Sequence, residues 1–372
     1  MKKKILSLTL LYSFLNVFSQ NTYAFFGSYN WDKSTEGIYV YQLNPKNGKL
    51  TKVSSVTGIL NPSFLTLSSK GDFLYACTES KTPNSGSVSS FSFNPENGTL
   101  KYLNHQKSGS ENPVYVSISK DGKWLANANY TEGSVSIYPI GENGEIQTLT
   151  QNIRYTEGSV DSDRQDRSHV HAAVFSPISD QLFLPDLGAD KIRIYDFKSN
   201  LSEPLQPSQQ DFVAAIPGSG PRHFTFHPNG KFAYCIDELS GTLNVYEYEN
   251  KTLKGIQRIN SHQEKIKDTF ESSDVHVSPD GKFLYSSNRG KENNIAIFSI
   301  NSDGLLKNIG FQSTFGKHPR TFGLSENGDF LIVTNVNSNN AVVFRRNPET
   351  GLLKKVDKVK MMHPTNVKIK TY

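Results

Sequence analysis

Pro62-Ser63-Phe64-Leu65-Thr66-Leu67 opens a stretch whose reading decides the fold. Gly71-Asp72 turns the chain, Phe73-Leu74-Tyr75-Ala76-Cys77 makes a second apolar run, and Gly86 to Phe93 alternates apolar with small polar residues. Period-two alternation marks a strand with two unlike faces. Asn97-Gly98 is expected to close a hairpin to an outer strand from Leu100 to Leu103. Four strands in about fifty residues is one propeller blade.

The unit recurs along the chain. Its opening phrase returns at Asn112-Pro113, Ser168-His169, Pro221-Arg222-His223, Ser273-Asp274, His318-Pro319 and His363-Pro364. The turn Asn-Pro-x-x-Gly-x-Leu begins at Asn44, Asn94 and Asn347. Thr22-Tyr23-Ala24-Phe25-Phe26 aligns with a second strand, so the first strand of that blade is expected from Pro364 to Ile369. The spacing therefore predicts an all-β, seven-bladed propeller, its ring closed by N- and C-terminal strands sharing one blade, over residues 20–372 as a single domain.

Residues 1–19 read as a signal peptide: Lys2 to Lys4, an apolar run from Ile5 to Val17, and Val17-Phe18-Ser19 before cleavage. Export to the periplasm or the exterior is expected, with no membrane anchor after cleavage. Without the leader's three lysines the formal charge of +5 falls to near +2, too small to argue for nucleic acid. Nothing signals an oligomer, and a monomer is expected. Cys77 and Cys235 lie three blades apart, too far for a disulfide, so both are expected as buried free thiols.

Because first and second strands run antiparallel, residues just before a first strand and just after a second face the same channel mouth. In blades four to seven these positions are unusual; the others read as small or neutral. Blade four brings Arg164, His169 and His171, blade five Arg222, His223 and Glu238, blade six Asp274, Asn288 and Arg289, and blade seven Arg320. His169 and His171 alternate and are expected on one strand face. Arginines hold carboxylates or phosphates, and a neighbouring histidine or glutamate moves protons. His169, His171, Arg222, Glu238 and Arg289 are the catalytic candidates; Arg164, His223, Asp274, Asn288 and Arg320 are the candidate substrate contacts. No ligand spacing suggests a metal, no cofactor is expected, and no Gly-x-Ser-x-Gly elbow supports a serine nucleophile.

Ser168-His169-Val170-His171, Leu184-Pro185-Asp186-Leu187-Gly188, Gly220-Pro221-Arg222-His223 and Ser287-Asn288-Arg289-Gly290 resemble the seven-bladed lactonase family, which includes propeller-type 6-phosphogluconolactonases and carboxy-muconate cyclases. The resemblance implies a metal-independent site of His, Arg, Glu and Arg, carried here by His169 or His171, Arg222, Glu238 and Arg289. It implies hydrolysis of a sugar-acid lactone as partner molecule. A lactonising cycloisomerase and a non-catalytic binding propeller are the alternatives. This chain departs from the pattern at Ser168 (usually Pro), Asp237 (usually Asn), Lys291 (often His) and Val336 (often Gln).

Overall fold

The structure, a computed structural model, describes residues 21–80 and 86–372; the expected signal peptide lies outside them. Seven four-stranded antiparallel sheets are arranged as blades. Blades one to seven have their second strands at Thr22–Ser28, Phe73–Thr78, Trp124–Asn129, Gln181–Asp186, Phe232–Asp237, Phe283–Asn288 and Phe330–Asn335. The ring closes as expected. The C-terminal strand Pro364–Thr371 pairs with Thr22–Ser28 from Thr22↔Thr371 to Gly27↔Asn366.

Burial explains the hydrophobic pattern. Second strands are sandwiched between neighbouring blades, and Gln181–Asp186, Phe283–Asn288 and Phe330–Asn335 are buried at every residue. Such strands read as unbroken apolar runs, whereas outer strands such as Leu205–Ala214 alternate toward solvent. Cys77 and Cys235 are buried free thiols on second strands.

The Asn97-Gly98 hairpin differs from expectation. Pairing stops at Asn94↔Thr99, which leaves a four-residue connection. Asn94 Oδ1 accepts from the Glu96 amide at 2.9 Å, and Gly98 N donates to Asn94 O at 2.8 Å. The Asn-Pro phrase thus encodes an Asx turn, with glycine supplying the positive φ that ends it. The same glycine seats one blade on the previous one. A Cβ on Gly351 would stand 2.4 Å from the Phe283 ring, and one on Gly48 2.5 Å from Phe330.

Blade four is also irregular. Its inner strand is only Val174–Phe175, where the sequence suggested a strand from His169. Pro185 accepts from His171 N at 2.9 Å on the face toward this stretch, and being proline it has no N–H to return. Asp186 takes over, accepting from Ser168 Oγ (2.5 Å), His169 N (2.8 Å) and Arg193 Nε (2.9 Å).

A side-chain device unseen in the sequence joins successive outer strands. Gln257 Oε1 accepts from Leu306 N at 2.7 Å while its Nε2 donates to Leu306 O at 2.9 Å. Gln151 holds Leu205, and Gln210 holds Leu253, in the same two-bond manner. Each glutamine thus extends the backbone ladder across a blade boundary. Gln257→Ala strands both Leu306 groups, and is expected to cost about 1–3 kcal/mol. Urea unfolding should show a lowered midpoint with an unchanged slope.

Candidate active site

The residue directly after each second strand points into one channel mouth, and around the ring these are Tyr29, Glu79, Tyr130, Leu187, Glu238, Arg289 and Val336. First strands add Arg222, Ser273 and Arg320. Blades one to three are therefore not bland at the mouth, contrary to the expectation from sequence. The rule applied to four blades applies to all seven, and it yields Tyr29, Glu79 and Tyr130.

Glu238 organises one side. Its Oε1 accepts from Arg164 Nη2 at 2.6 Å, and its Oε2 from Arg222 Nε at 2.7 Å, with Arg289 Nη2 at 3.0 Å. Glu238 and Arg222 are 5% and 1% exposed, so this charge network works in a weakly screened interior. Burial alone would raise the Glu238 carboxyl, but Arg289 and Arg222 hold it well below the usual carboxylate range. Burial, with Arg289 alongside, pushes Arg222 down to about 9, which still leaves a cation at neutral pH. Arg222 Nη1 also donates to Ser273 O at 2.5 Å, and Arg289 Nε to Glu271 O at 3.1 Å, so both forks are held from behind.

Opposite lies a smaller set. Arg320 Nη2 donates to Glu79 Oε2 at 3.3 Å, and Tyr29 donates its hydroxyl to the same carboxylate at 2.8 Å. The Arg320 guanidinium lies 5.6 Å from the Tyr29 ring centre. Four arginines against two glutamates leave the mouth electropositive, a setting for an anion.

The two candidate histidines separate cleanly. His169 stacks on Tyr130 (4.4 Å, 10° between planes), and both its nitrogens are engaged: Nδ1 with Tyr130 O at 2.8 Å, Nε2 with Asp166 at 3.2 Å. His171 stands edge-on to Tyr130 at 5.4 Å and to His223 at 5.3 Å. It lies in the field of Arg222 and Glu238, and its buried Nδ1 has no hydrogen-bond partner among the described residues. Burial and Arg222 push it well below the ordinary histidine value, so it is neutral at pH 7.

Below the mouth the channel is filled. Phe64 and Tyr115 stack at 4.1 Å, and His223 meets Tyr115 edge-on at 5.4 Å. His223 bonds Asp274 at 2.7 Å through Nδ1, and Asp274 also bonds His276 at 3.0 Å and accepts from Phe322 N at 3.1 Å. His223 and Asp274 therefore lie on the floor, the Asp274 oxygens spent on these bonds and His223 Nε2 without a partner among the described residues. Asn288 is fully buried, with its amide spent on Ser261, Ser272 and Asn294. It shapes the rim that carries Arg289, and no group of it is left for a substrate. His318, which the sequence reading passed over as a repeat marker, stands 3.5 Å from Arg289 Nη1, and burial with Arg289 and Arg320 lowers it to about 3. Its signal was its place immediately before a first strand.

A closed ring of seven four-stranded blades, with a buried arginine and carboxylate cluster at one mouth, defines the class as a seven-bladed β-propeller with a polar channel site. The family described as "Lactonase, 7-bladed beta-propeller" matches residues 23–369, and the chain belongs to it. A Formosa agariphila protein named 6-phosphogluconolactonase is 42% identical over 334 residues, covering 89% of this chain and 94% of the relative. A Bacillus subtilis protein of the same name is 32% identical, covering 86% and 90%. The solved structure of a Pseudomonas aeruginosa periplasmic gluconolactonase is similar with a TM-score of 0.88 at 32% identity, covering 94% of this chain and 99% of that one.

Asp237 closes the second strand of blade five, beside Glu238. Its Oδ2 accepts from Asn244 (2.8 Å) and Thr242 (2.9 Å), while Oδ1 has no partner among the described residues. Burial pushes its carboxyl up to about 6 from 3.8. A raised folded-state value favours the protonated form, so this stabilisation is full below about pH 4 and is lost as pH rises through 6. Asp237→Asn should abolish that loss, with a gain over wild type between pH 4 and 8 on the order of 1–3 kcal/mol. Denaturant melts at the two pH values check it; parallel losses in both proteins would contradict it.

Proposed function

We propose that the chain is an exported carboxylic-ester hydrolase that opens a sugar-acid lactone without a metal. The observation that carries this reading is the Glu238 carboxylate gathering Arg164, Arg222 and Arg289 at the channel mouth, with neutral His171 beside them. The names of the relatives support the lactone class. The basic and apolar start of the chain, together with a periplasmic structural relative, supports export.

Hydrolysis needs a charge sink for the oxyanion, a proton acceptor for water, and a proton donor for the leaving ring oxygen. Arg222 and Arg289 supply the first, being fixed, desolvated and aimed from adjacent blades. Glu238 is a poor base: three guanidiniums hold it ionised, so it serves as the anchor that keeps them together. His171 carries the proton instead. Water attacks the carbonyl carbon as its proton passes to His171; the tetrahedral intermediate then expels the ring oxygen, which takes that proton back. The low proton affinity of His171 makes its cation a strong acid toward an alkoxide. Arg320, on the far side, holds a carboxylate, hydroxyl or phosphate of the sugar.

The test is hydrolysis of glucono-δ-lactone, its 6-phosphate and a muconolactone by residues 20–372. Arg222→Ala should lower kcat/KM on the preferred lactone by about 100- to 1000-fold. Glu238→Gln should lower it by at least about 100-fold with the fold intact by circular dichroism, because the three cations lose their anchor. His169→Ala should cost far less than His171→Ala. Chelator should leave the rate unchanged. Absence of turnover on every lactone by the folded protein would end the reading.

A further inference from the structure

The mouth carries an aromatic shelf that hydrolysis of a small lactone leaves unused. Trp31 follows the second strand of blade one on the same rim as the site, and its side chain is 62% exposed. Its ring lies 6.0 Å from Tyr29 with planes 23° apart, and meets the His363 ring edge-on at 4.7 Å. Tyr29 in turn bonds Glu79 and lies beneath the Arg320 guanidinium. The indole is thus one ring removed from the arginine set, stacked on Tyr29 with its own ring open to solvent.

The backbone beneath it is built to hold this display. Trp31 has φ +45°, a left-handed conformation that a bulky residue rarely adopts and that glycine would occupy without strain. The strain is held by reciprocal amides. Asn61 Oδ1 accepts from both the Asn30 and Trp31 amides at 3.0 Å, Asn30 Oδ1 accepts from Asn61 N at 2.6 Å, and Asn30 Nδ2 donates to Ile59 O at 2.9 Å. A large apolar ring is thereby fixed open to solvent at a site otherwise made of charge.

Polar groups border the rings. The Glu79 carboxylate is on the inner side. His363 Nδ1 lies 3.2 Å from Val336 O, and since a carbonyl only accepts, Nδ1 is the donor there, which leaves Nε2 outside that bond. A flat apolar face edged by hydroxyl-binding groups suits a pyranose, whose axial C–H bonds lie on an indole while its hydroxyls turn to the edges. We infer that Trp31, backed by Tyr29, forms a subsite for a second sugar ring, and that the substrate class is a glycosyl-substituted aldonolactone. This rests on the lactonase reading above.

The experiment compares cellobiono-δ-lactone with glucono-δ-lactone for the wild type, Trp31→Ala and Trp31→Phe. The wild type should favour the disaccharide lactone, Trp31→Ala should lower the ratio of the two kcat/KM values by about fivefold, and Trp31→Phe should keep most of it. An unchanged ratio in Trp31→Ala overturns the inference. Binding is read separately from catalysis. Trp31 and Trp124 are the only tryptophans, so cellobionate should shift the emission of the wild type and not that of Trp31→Ala. If no lactone is hydrolysed, the lactonase reading falls while this titration still decides the subsite: a shift confined to the wild type upholds it, and no shift overturns it.

Discussion

The ring, and with it one half of the mouth, depends on the pairing of the chain's two ends. Thr22–Ser28 and Pro364–Thr371 meet in one blade, and that ladder fixes blade one between blades seven and two. Arg320 comes from blade seven, Tyr29 from blade one and Glu79 from blade two, so the Arg320–Glu79–Tyr29 set spans the closure. Arg320 and Glu79 are 241 residues apart in sequence and meet only in a closed ring, whereas Tyr29 and Glu79 come from the adjacent blades one and two. The Glu238 cluster is different: Arg164, Arg222, Glu238 and Arg289 come from consecutive parts of the chain. Half of the site is local to three neighbouring blades, and the other half exists because the chain bites its own end.

That division explains what was legible. Strand order, blade count and closure followed from period-two patterning and from the turn phrases, since a repeat states the same rule seven times. Cys77 and Cys235 were placed by the same logic. Arg222, Glu238 and Arg289 were legible because charged residues in otherwise apolar repeat positions stand out. Tyr29 and Tyr130 did not, because an aromatic after a strand looks like more core. Glu79 was overlooked since a lone glutamate in a loop is the commonest of solvent residues. The irregular inner strand of blade four hinged on a single missing N–H at Pro185, which matters only once its partner strand is known. Asn288 misled in the opposite sense: a polar residue at the right repeat position can serve its own blade.

The glutamine links between outer strands were invisible for a related reason. Gln151, Gln210 and Gln257 sit on exposed-alternating strands, where glutamine reads as ordinary surface. Their two-bond grip on Leu205, Leu253 and Leu306 adds directional contacts between outer strands to the apolar packing of neighbouring blades, which is non-directional. Hydrogen bonds of fixed geometry thus add direction to the contact between the blades that carry Arg164, Arg222 and Arg289.

Charge then assigns the roles. A carboxylate in contact with three guanidiniums has no reason to take a proton, and a histidine buried against an arginine has every reason to give one up. Glu238 is the obvious base by residue type, yet its surroundings hold it ionised; in the proposed reaction the proton therefore goes to His171, a weak base whose conjugate acid is strong. Water attack on a lactone carbonyl tolerates a weak base if the oxyanion is well stabilised. Expulsion of an alkoxide needs the strong acid more. In the hydrolysis proposed above, a cluster that concentrates positive charge would serve both ends of the reaction: it would receive the oxyanion directly, and it would lower the proton affinity of the histidine that releases its proton to the departing oxygen.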